Sequence, residues 1–74
     1  MVTPASWIVE ATAKATGVSP ADLRGRARHR FIVLRRKFCA RKLEAEGYTL
    51  VEIGRALGNR HHTTIMHYLG RVVR

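Results

Sequence analysis

The chain has 74 residues, of which 14 are Lys or Arg and five are Asp or Glu, so its formal net charge is +9. A chain this short can build one hydrophobic core, which predicts a single domain over residues 1–74 and leaves no room for a deep catalytic cleft. So large a positive charge indicates a polyanionic partner, with nucleic acid as the first candidate and an anionic membrane surface as the second.

Features typical of membrane, secreted or cysteine-rich proteins are missing from the sequence. No apolar stretch reaches the length of a membrane span, and the first residues do not resemble a signal peptide. Cys39 is the single cysteine, so neither an internal disulfide nor a cysteine-based zinc site can form. We expect Cys39 to be a small buried side chain, with a reactive thiol as the alternative. We also expect the chain to work in the cytoplasm, associated with the nucleoid.

The first predicted helix begins with Thr3 as its cap and Pro4 at its first position, and it ends at Gly17. Its expected core side chains recur at helical spacing and are Ile8, Ala11 and Ala15. Trp7 lies beside them in this pattern. We interpret Trp7 as a core anchor, and the alternative is a platform on which a base stacks.

The next two predicted helices flank a run of arginines. Ser19 followed by Pro20 predicts the start of one helical turn that ends near Gly25. The third helix is predicted over residues 30–46, before Gly47. The expected core side chains are Leu23 from the short turn, then Phe31, Leu34 and Phe38 on one face of the third helix, adjoined by Ile32, Cys39 and Leu43.

Two further short helices meet at a tight turn. Thr49 and Glu52 have the spacing of a capping box, which predicts a fourth helix over residues 50–57 that ends at Gly58. A fifth helix is predicted over about residues 61–73. Their expected core side chains are Leu50, Ile53 and Leu57, then Ile65, Leu69 and Val72. Two short helices joined through glycine are typical of a helix-turn-helix, so the sequence predicts an all-α fold of about five helices.

The positive charge is clustered as well as large. Nine of the 14 basic residues lie between residues 24 and 42, with no acidic residue among them. Residues 24–30, Arg-Gly-Arg-Ala-Arg-His-Arg, are called the basic segment below. A merely solvated face is the alternative, but such faces mix both signs because like charges repel. Phosphates would remove that repulsion and release counterions, so we expect nucleic acid to contact this region.

The predicted start of the fifth helix carries side chains that can read bases. In a helix-turn-helix, the first residues of the second helix enter the major groove. In this chain they are His61, His62, Thr63 and Thr64. An imidazole donates to or accepts from base edges, and a threonine offers a hydroxyl and a methyl group. Arg60 would hold a phosphate. One alternative is that a threonine only caps the helix. Another is that these histidines and His67 bind a metal, which their spacing does not favour.

The sequence also resembles a known family. Residues 58–67, Gly-Asn-Arg-His-His-Thr-Thr-Ile-Met-His, resemble the G-G-R-D-H-T-T-V-x-H signature of the C-terminal DNA-binding domain of the bacterial replication initiator DnaA. Residues 50–58 resemble that family's S-L-x-E-I-G-x-x-F-G stretch, and residues 22–37 resemble its D-L-x-x-x-x-R-x-R…R-Q segment. The resemblance covers about residues 8–73. It implies the Trp-repressor-like helix-turn-helix arrangement of that domain.

The resemblance implies roles for individual side chains. Alongside His61, the base-reading side chains would be His62, Thr63, Thr64, Val51 and, in the minor groove, Arg28. The phosphate-binding side chains would be Arg26, Arg30, Arg36, Lys37, Arg60 and His67. The family has Asp where this chain has His61. A carboxylate only accepts hydrogen bonds, whereas a neutral imidazole can donate one, so the family's usual target is not expected to carry over unchanged.

We therefore expect sequence-specific binding of double-stranded DNA that regulates replication initiation or transcription, in a bacterium or a phage. The alternative is a protein-interaction regulator that binds the replication initiator or another replication protein. The change to His61 permits that alternative, and the retained arginines argue against it. The sequence has no phosphate-binding loop and no paired-carboxylate or Ser-His-Asp set, so it predicts neither an enzyme nor a cofactor or metal. Its initial methionine leads us to expect a stand-alone small protein, and the alternative is an excised domain of a longer one.

Overall fold

The computed structural model describes residues 4–26 and 28–71 and contains five helices. They are α1 (Ala5–Thr16), α2 (Pro20–Arg24), α3 (Arg30–Ala45), α4 (Leu50–Ala56) and α5 (His62–Tyr68). The described part of the chain has no strand, so the predicted all-α class is confirmed. None of the helices in residues 4–26 and 28–71 is both long enough and apolar enough to cross a membrane.

The helices begin and end at residues that satisfy the free backbone groups. The Ser19 hydroxyl accepts the N–H of Asp22 at 3.1 Å, and Pro20 follows at the first position of α2, as predicted. Gly17 ends α1 in a left-handed conformation, with φ of 76°. Pro4 is the cap residue of α1 and not its first helical residue, and the predicted cap Thr3 lies outside the described residues.

The capping box predicted at the start of α4 is confirmed. The Glu52 carboxylate accepts the backbone N–H of Thr49 at 2.8 Å, and the Thr49 hydroxyl accepts the N–H of Glu52 at 3.2 Å. Histidines take the capping position in two other helices. The Nδ1 atom of His29 accepts the N–H of Phe31 at the start of α3, at 3.2 Å. His61 has the corresponding place before α5.

All five helices contribute to one hydrophobic core. Its largest fully buried side chains are Val9, Leu23, Cys39, Leu43, Ile53, Leu57 and Ile65. The predictions for Leu23, Cys39, Leu43, Ile53, Leu57 and Ile65 are therefore confirmed. Leu50 and Leu69 are only partly buried against this core, and Val72 lies outside the described residues. Truncation of a buried leucine to alanine usually costs about 2–5 kcal/mol, so each of these side chains matters for a domain of this size.

The face that α1 turns to the core differs from the prediction. The residues it buries are Ile8, Val9, Thr12 and Ala13, while Ala11 and Ala15 are exposed. Trp7 is 65% exposed, so its interpretation as a core anchor is wrong. The centre of the buried face lies about one residue away from the centre of the predicted face, which corresponds to a rotation of about 100° about the helix axis. Small alanines do not specify which of the two faces packs.

The predicted core face of α3 is also wrong. Phe31, Leu34 and Phe38 are 42%, 53% and 43% exposed, and together they form what we call the exposed α3 face. The residues that α3 buries instead are Arg36, Cys39, Ala40 and Leu43. The guanidinium of Arg35 lies 4.6 Å from the Phe31 ring centroid, and the Lys42 ammonium lies 5.5 Å from that of Phe38. These cations cover part of the exposed rings.

Candidate nucleic-acid interface

The packing of α4 and of the α4–α5 turn requires glycine at two positions. Gly58 has φ of 88°, and a Cβ atom there would lie 2.0 Å from the carbonyl oxygen of Arg24. Gly54 lies inside α4, where a Cβ atom would be 2.1 Å from the carbonyl oxygen of Arg60. The Arg60 N–H also donates to the Gly54 carbonyl at 2.8 Å. The backbones therefore approach closely, and this contact places the start of α5 beside the basic segment.

Arg36 is a buried arginine whose guanidinium donates to backbone carbonyls of the same chain. Only 3% of the residue is exposed. Its Nε atom donates to the carbonyl of Leu23 at 3.0 Å, and its Nη2 atom donates to the carbonyls of Asp22 and Gly25, both at 2.8 Å. Its guanidinium satisfies the carbonyl end of α2, which argues against the expected phosphate contact, and that contact stays a prediction. Burial, followed by the charge of neighbouring Arg60, lowers the pKa of Arg36.

Arg60 has a related anchoring role from the other side. Its Nε atom donates to the Tyr68 hydroxyl at 3.2 Å, and its Nη1 atom donates to the carbonyls of Leu57 and, at 3.4 Å, Arg24. Its Nη2 atom donates to the carbonyl of Gly25. Most of the donors on Arg60 are thus used within the chain. A phosphate contact by Arg60 stays a prediction that would have to use its remaining N–H.

The basic segment and the start of α5 share one concave surface, which we call the basic cleft. It is lined from the segment by Arg24, Arg26 and Arg28, from α3 by Val33 and Arg36, and from the α4–α5 turn and α5 by Gly58, Asn59, Arg60, His61, Thr64 and Tyr68. The structure thus brings together the two regions that the sequence analysis selected separately. Arg26 and Arg28 are exposed at this surface, so their charges are accessible.

His61 organises the tip of α5. Its Nδ1 atom accepts the backbone N–H of Thr63 at 3.3 Å and lies 2.8 Å from the Thr63 hydroxyl oxygen. The rings of His61 and His62 pack with their centroids 4.3 Å apart. His61 is therefore the cap of α5, in place of the alternative that Thr63 or Thr64 has this role. His61, His62 and Thr63 are exposed, and Thr64 is half-buried.

The remaining predicted contacts are spread around this surface. Arg30 is exposed at the start of α3, Val51 is exposed in the first turn of α4, and His67 is exposed in the last turn of α5. Lys37 is half-buried on α3. Their contacts with nucleic acid stay predictions. In residues 4–26 and 28–71, no three His, Cys, Asp or Glu side chains are close enough to hold a metal ion together.

The lining of the basic cleft includes residues that the sequence does not predict as contacts, among them Arg24 and Asn59. In the sequence, Arg24 belongs only to the charged run, whereas in the structure it lines the cleft and its carbonyl oxygen approaches Gly58. Asn59 lines the cleft from the turn with a left-handed φ of 59°. The signal for Asn59 was available, because asparagine tolerates that conformation best among residues with side chains. No sequence signal indicated which arginines are buried.

Comparison with known proteins identifies the family. The family described as "Bacterial dnaA protein helix-turn-helix" matches residues 5–72. The chain is 42% identical over 66 residues to the chromosomal replication initiator protein DnaA of Thermomicrobium roseum, which covers 88% of this chain and 14% of that protein. It is 42% identical over 57 residues to the DnaA protein of Herpetosiphon aurantiacus, covering 76% of this chain and 12% of that protein. The chain thus spans a small part of these relatives, and it belongs to the bacterial DnaA helix-turn-helix family.

Proposed function

We propose that this domain binds double-stranded DNA in a sequence-specific way, with α5 in the major groove and the basic segment in the adjoining minor groove and on phosphates. The observation that carries the proposal is the basic cleft, where exposed Arg26 and Arg28 lie beside the His61 tip of α5. Family membership supports DNA as the partner. The process we propose is control of replication initiation or of transcription, in the cytoplasm where the chromosome lies.

The two sides of the cleft have different tasks in this proposal. Arg26 and Arg30 neutralise phosphates, which provides affinity without regard to sequence. His61, His62 and Thr63 contact base edges in the major groove, and Thr64 and Val51 contact thymine methyl groups. Arg28 enters the minor groove, where a guanidinium responds to groove width and to A·T content. Lys37 and His67 add phosphate contacts at the edges, whereas Arg36 acts from the interior by holding the basic segment.

Equilibrium binding at several salt concentrations tests this division. Each lost phosphate contact lowers the slope of log affinity against log salt by about 0.9. We expect Arg26→Ala to weaken binding to all duplexes and to lower the slope by about one. We expect Thr63→Ala to cost about 1–3 kcal/mol on the preferred sequence and to leave the slope unchanged. The matched control is Lys14→Ala, which removes an exposed charge on α1 away from the cleft. Equal effects of Lys14→Ala and Arg26→Ala would contradict the proposal.

A second candidate function is favoured by the exposed α3 face. Phe31, Leu34 and Phe38 form an apolar surface on α3, and Trp7 is exposed on α1. Apolar surfaces that remain open in a small domain often contact other proteins. In this candidate function, the domain binds the replication initiator or another replication protein through that face.

One variant separates the two functions. Leu34→Glu places a charge on the exposed α3 face and leaves the basic cleft unchanged, so duplex binding should persist. Capture of a purified replication initiator by the wild-type domain, lost in Leu34→Glu, would support the second function. Equal capture by Arg26→Ala and by the wild-type domain would show that the protein contact does not use the cleft.

A further inference from the structure

The capping bond of His61 fixes which of its ring nitrogens carries the proton. The backbone N–H of Thr63 can only donate, and it points to Nδ1 of His61 at 3.3 Å. Nδ1 must therefore present its lone pair, and a neutral imidazole then has its hydrogen on Nε2. The Thr63 hydroxyl, 2.8 Å from the same Nδ1, must also act as the donor in that contact. One bond thus determines the hydrogen-bonding character of two exposed side chains.

The ring of His61 is held in this state at the rim of the basic cleft. His61 lines the cleft and is exposed, and the His62 ring packs against it at 4.3 Å with a tilt of 35°. Within the described part of the chain, no hydrogen bond engages Nε2. The Nε2–H is therefore available to a ligand. Because the Thr63 hydroxyl hydrogen is directed to Nδ1, its oxygen keeps acceptor capacity for the same ligand.

We propose that His61 is a specificity-determining residue that selects guanine in the major groove through its Nε2–H. Guanine presents two acceptors there, O6 and N7, whereas cytosine presents an amino donor that would face another donor. This inference rests on the proposed function and deepens it, because it assigns one position of the target sequence. Thr63, with its acceptor oxygen, suits an amino group on a neighbouring base, from adenine or cytosine.

The rival explanation is that His61 only caps α5. Aspartate and serine are also strong capping residues, so His61→Asp and His61→Ser should keep the helix start. They differ from histidine in what they offer to a base. Aspartate is an acceptor only, and the serine side chain is too short to extend past the cap. A purely structural role predicts the same base preference in all three proteins.

Selection of bound sequences from a random duplex library tests this. We expect the wild-type domain to enrich guanine at one position, His61→Asp to enrich cytosine at that position, and His61→Ser to lose preference there while keeping the rest of the sequence. In direct binding, we expect the affinity ratio for guanine over cytosine to be about five- to tenfold in the wild type and to be reversed in His61→Asp. Helical content by circular dichroism checks that each variant is folded.

The outcomes separate the inference from the function on which it rests. An identical enriched sequence for all three proteins would overturn the role of His61 in specificity and leave DNA binding intact. Enrichment of no sequence by the folded wild-type domain would overturn the proposed function itself. A guanine preference that persists in His61→Asp would show that another side chain reads that base, which also overturns the inference.

Discussion

The guanidinium groups of Arg36 and Arg60 meet at one acceptor, because Nη2 of each donates to the carbonyl oxygen of Gly25. Arg36 comes from α3 and Arg60 from the α4–α5 turn, so the two side chains hold the start of the basic segment from two elements. Arg36 also donates hydrogen bonds to the carbonyls of Asp22 and Leu23, and Arg60 donates one to the carbonyl of Arg24. The domain thus uses two of its arginines to position the others.

Loss of Arg36 should destabilise the fold more than it weakens charge attraction. Arg36→Ala removes the guanidinium donor to the carbonyls of Asp22 and Leu23 and one of the two donors to the carbonyl of Gly25. We expect a loss of about 2–4 kcal/mol in the free energy of unfolding. Arg36→Lys should recover only part of it, because an ammonium cannot reproduce the planar fork. Urea denaturation measures both. The exposed Arg26→Ala is the control, with an expected change within about 0.5 kcal/mol. Equal stability of Arg36→Ala and Arg26→Ala would contradict this role.

Gly58→Ala should lower the free energy of unfolding by more than the strain of a left-handed backbone alone explains. Gly47 has a comparable φ of 96° with no atom near its absent Cβ, so Gly47→Ala should cost about 1–2 kcal/mol through backbone strain. Gly58→Ala adds a contact of 2.0 Å with the Arg24 carbonyl, which we expect to cost roughly a further 1–3 kcal/mol. Thermal unfolding of the two variants gives the difference. The close approach of Gly58 to Arg24 places the tip of α5 beside the basic segment. Gly58→Ala should therefore also lower duplex affinity, whereas Gly47→Ala should not.

The capping box of α4 should give stability a dependence on acidic pH. The hydrogen bond from the Thr49 N–H, followed by that from its side chain, lowers the pKa of Glu52. A carboxyl group with a lower pKa in the folded state stabilises the fold above its unfolded pKa. That contribution is lost as the pH falls through its folded pKa, below about 4.3. The melting temperature of Glu52→Ala should therefore lie below that of the wild type at neutral pH, and the gap should close in acid. Glu10→Ala, in the middle of α1, is the control.

Cys39 should be unreactive in the folded domain. The residue is fully buried, and burial raises the pKa of its thiol, so little thiolate forms. We expect an alkylating reagent to modify Cys39 slowly at neutral pH and rapidly in denaturant. The rate should rise in Arg36→Ala, where unfolding is easier. Modification of the folded wild type at the rate seen in denaturant would mean that Cys39 is accessible.

The turn and the starts of its flanking helices were predictable because their signals are local, whereas α5 ends at Tyr68 and not near residue 73 as predicted. Thr49 and Glu52 are three residues apart, so the backbone groups that they satisfy lie within one helical turn. Gly58, with its positive φ, lies two residues after the end of α4. The arginines of the basic segment and the His-Thr start of α5 were also visible in the sequence. Their approach in the basic cleft depends on the contact between Gly58 and Arg24, which are 34 residues apart and give no common pattern in the sequence.

The errors in the prediction have a common physical origin. α3 carries apolar side chains on more than one side, with Phe38 exposed and Cys39 next to it buried, so helical periodicity alone cannot select the packed face. The choice is made by tertiary contacts, which bury Arg36 because α2 supplies carbonyl acceptors for it. An arginine is mostly exposed unless paired, and such a pairing across two helices leaves no local sequence signal.

Footprinting of the duplex enriched by selection tests the central claim most directly. Methylation of guanine N7 reports on the major groove, and hydroxyl-radical cleavage reports on the sugars that border the minor groove. We predict protection of one major-groove stretch and the adjoining minor groove by the wild-type domain. Saturating Arg28→Ala should lose the minor-groove protection and keep the major-groove protection. Major-groove guanines that react as they do in free DNA, at saturating wild-type domain, would contradict the account.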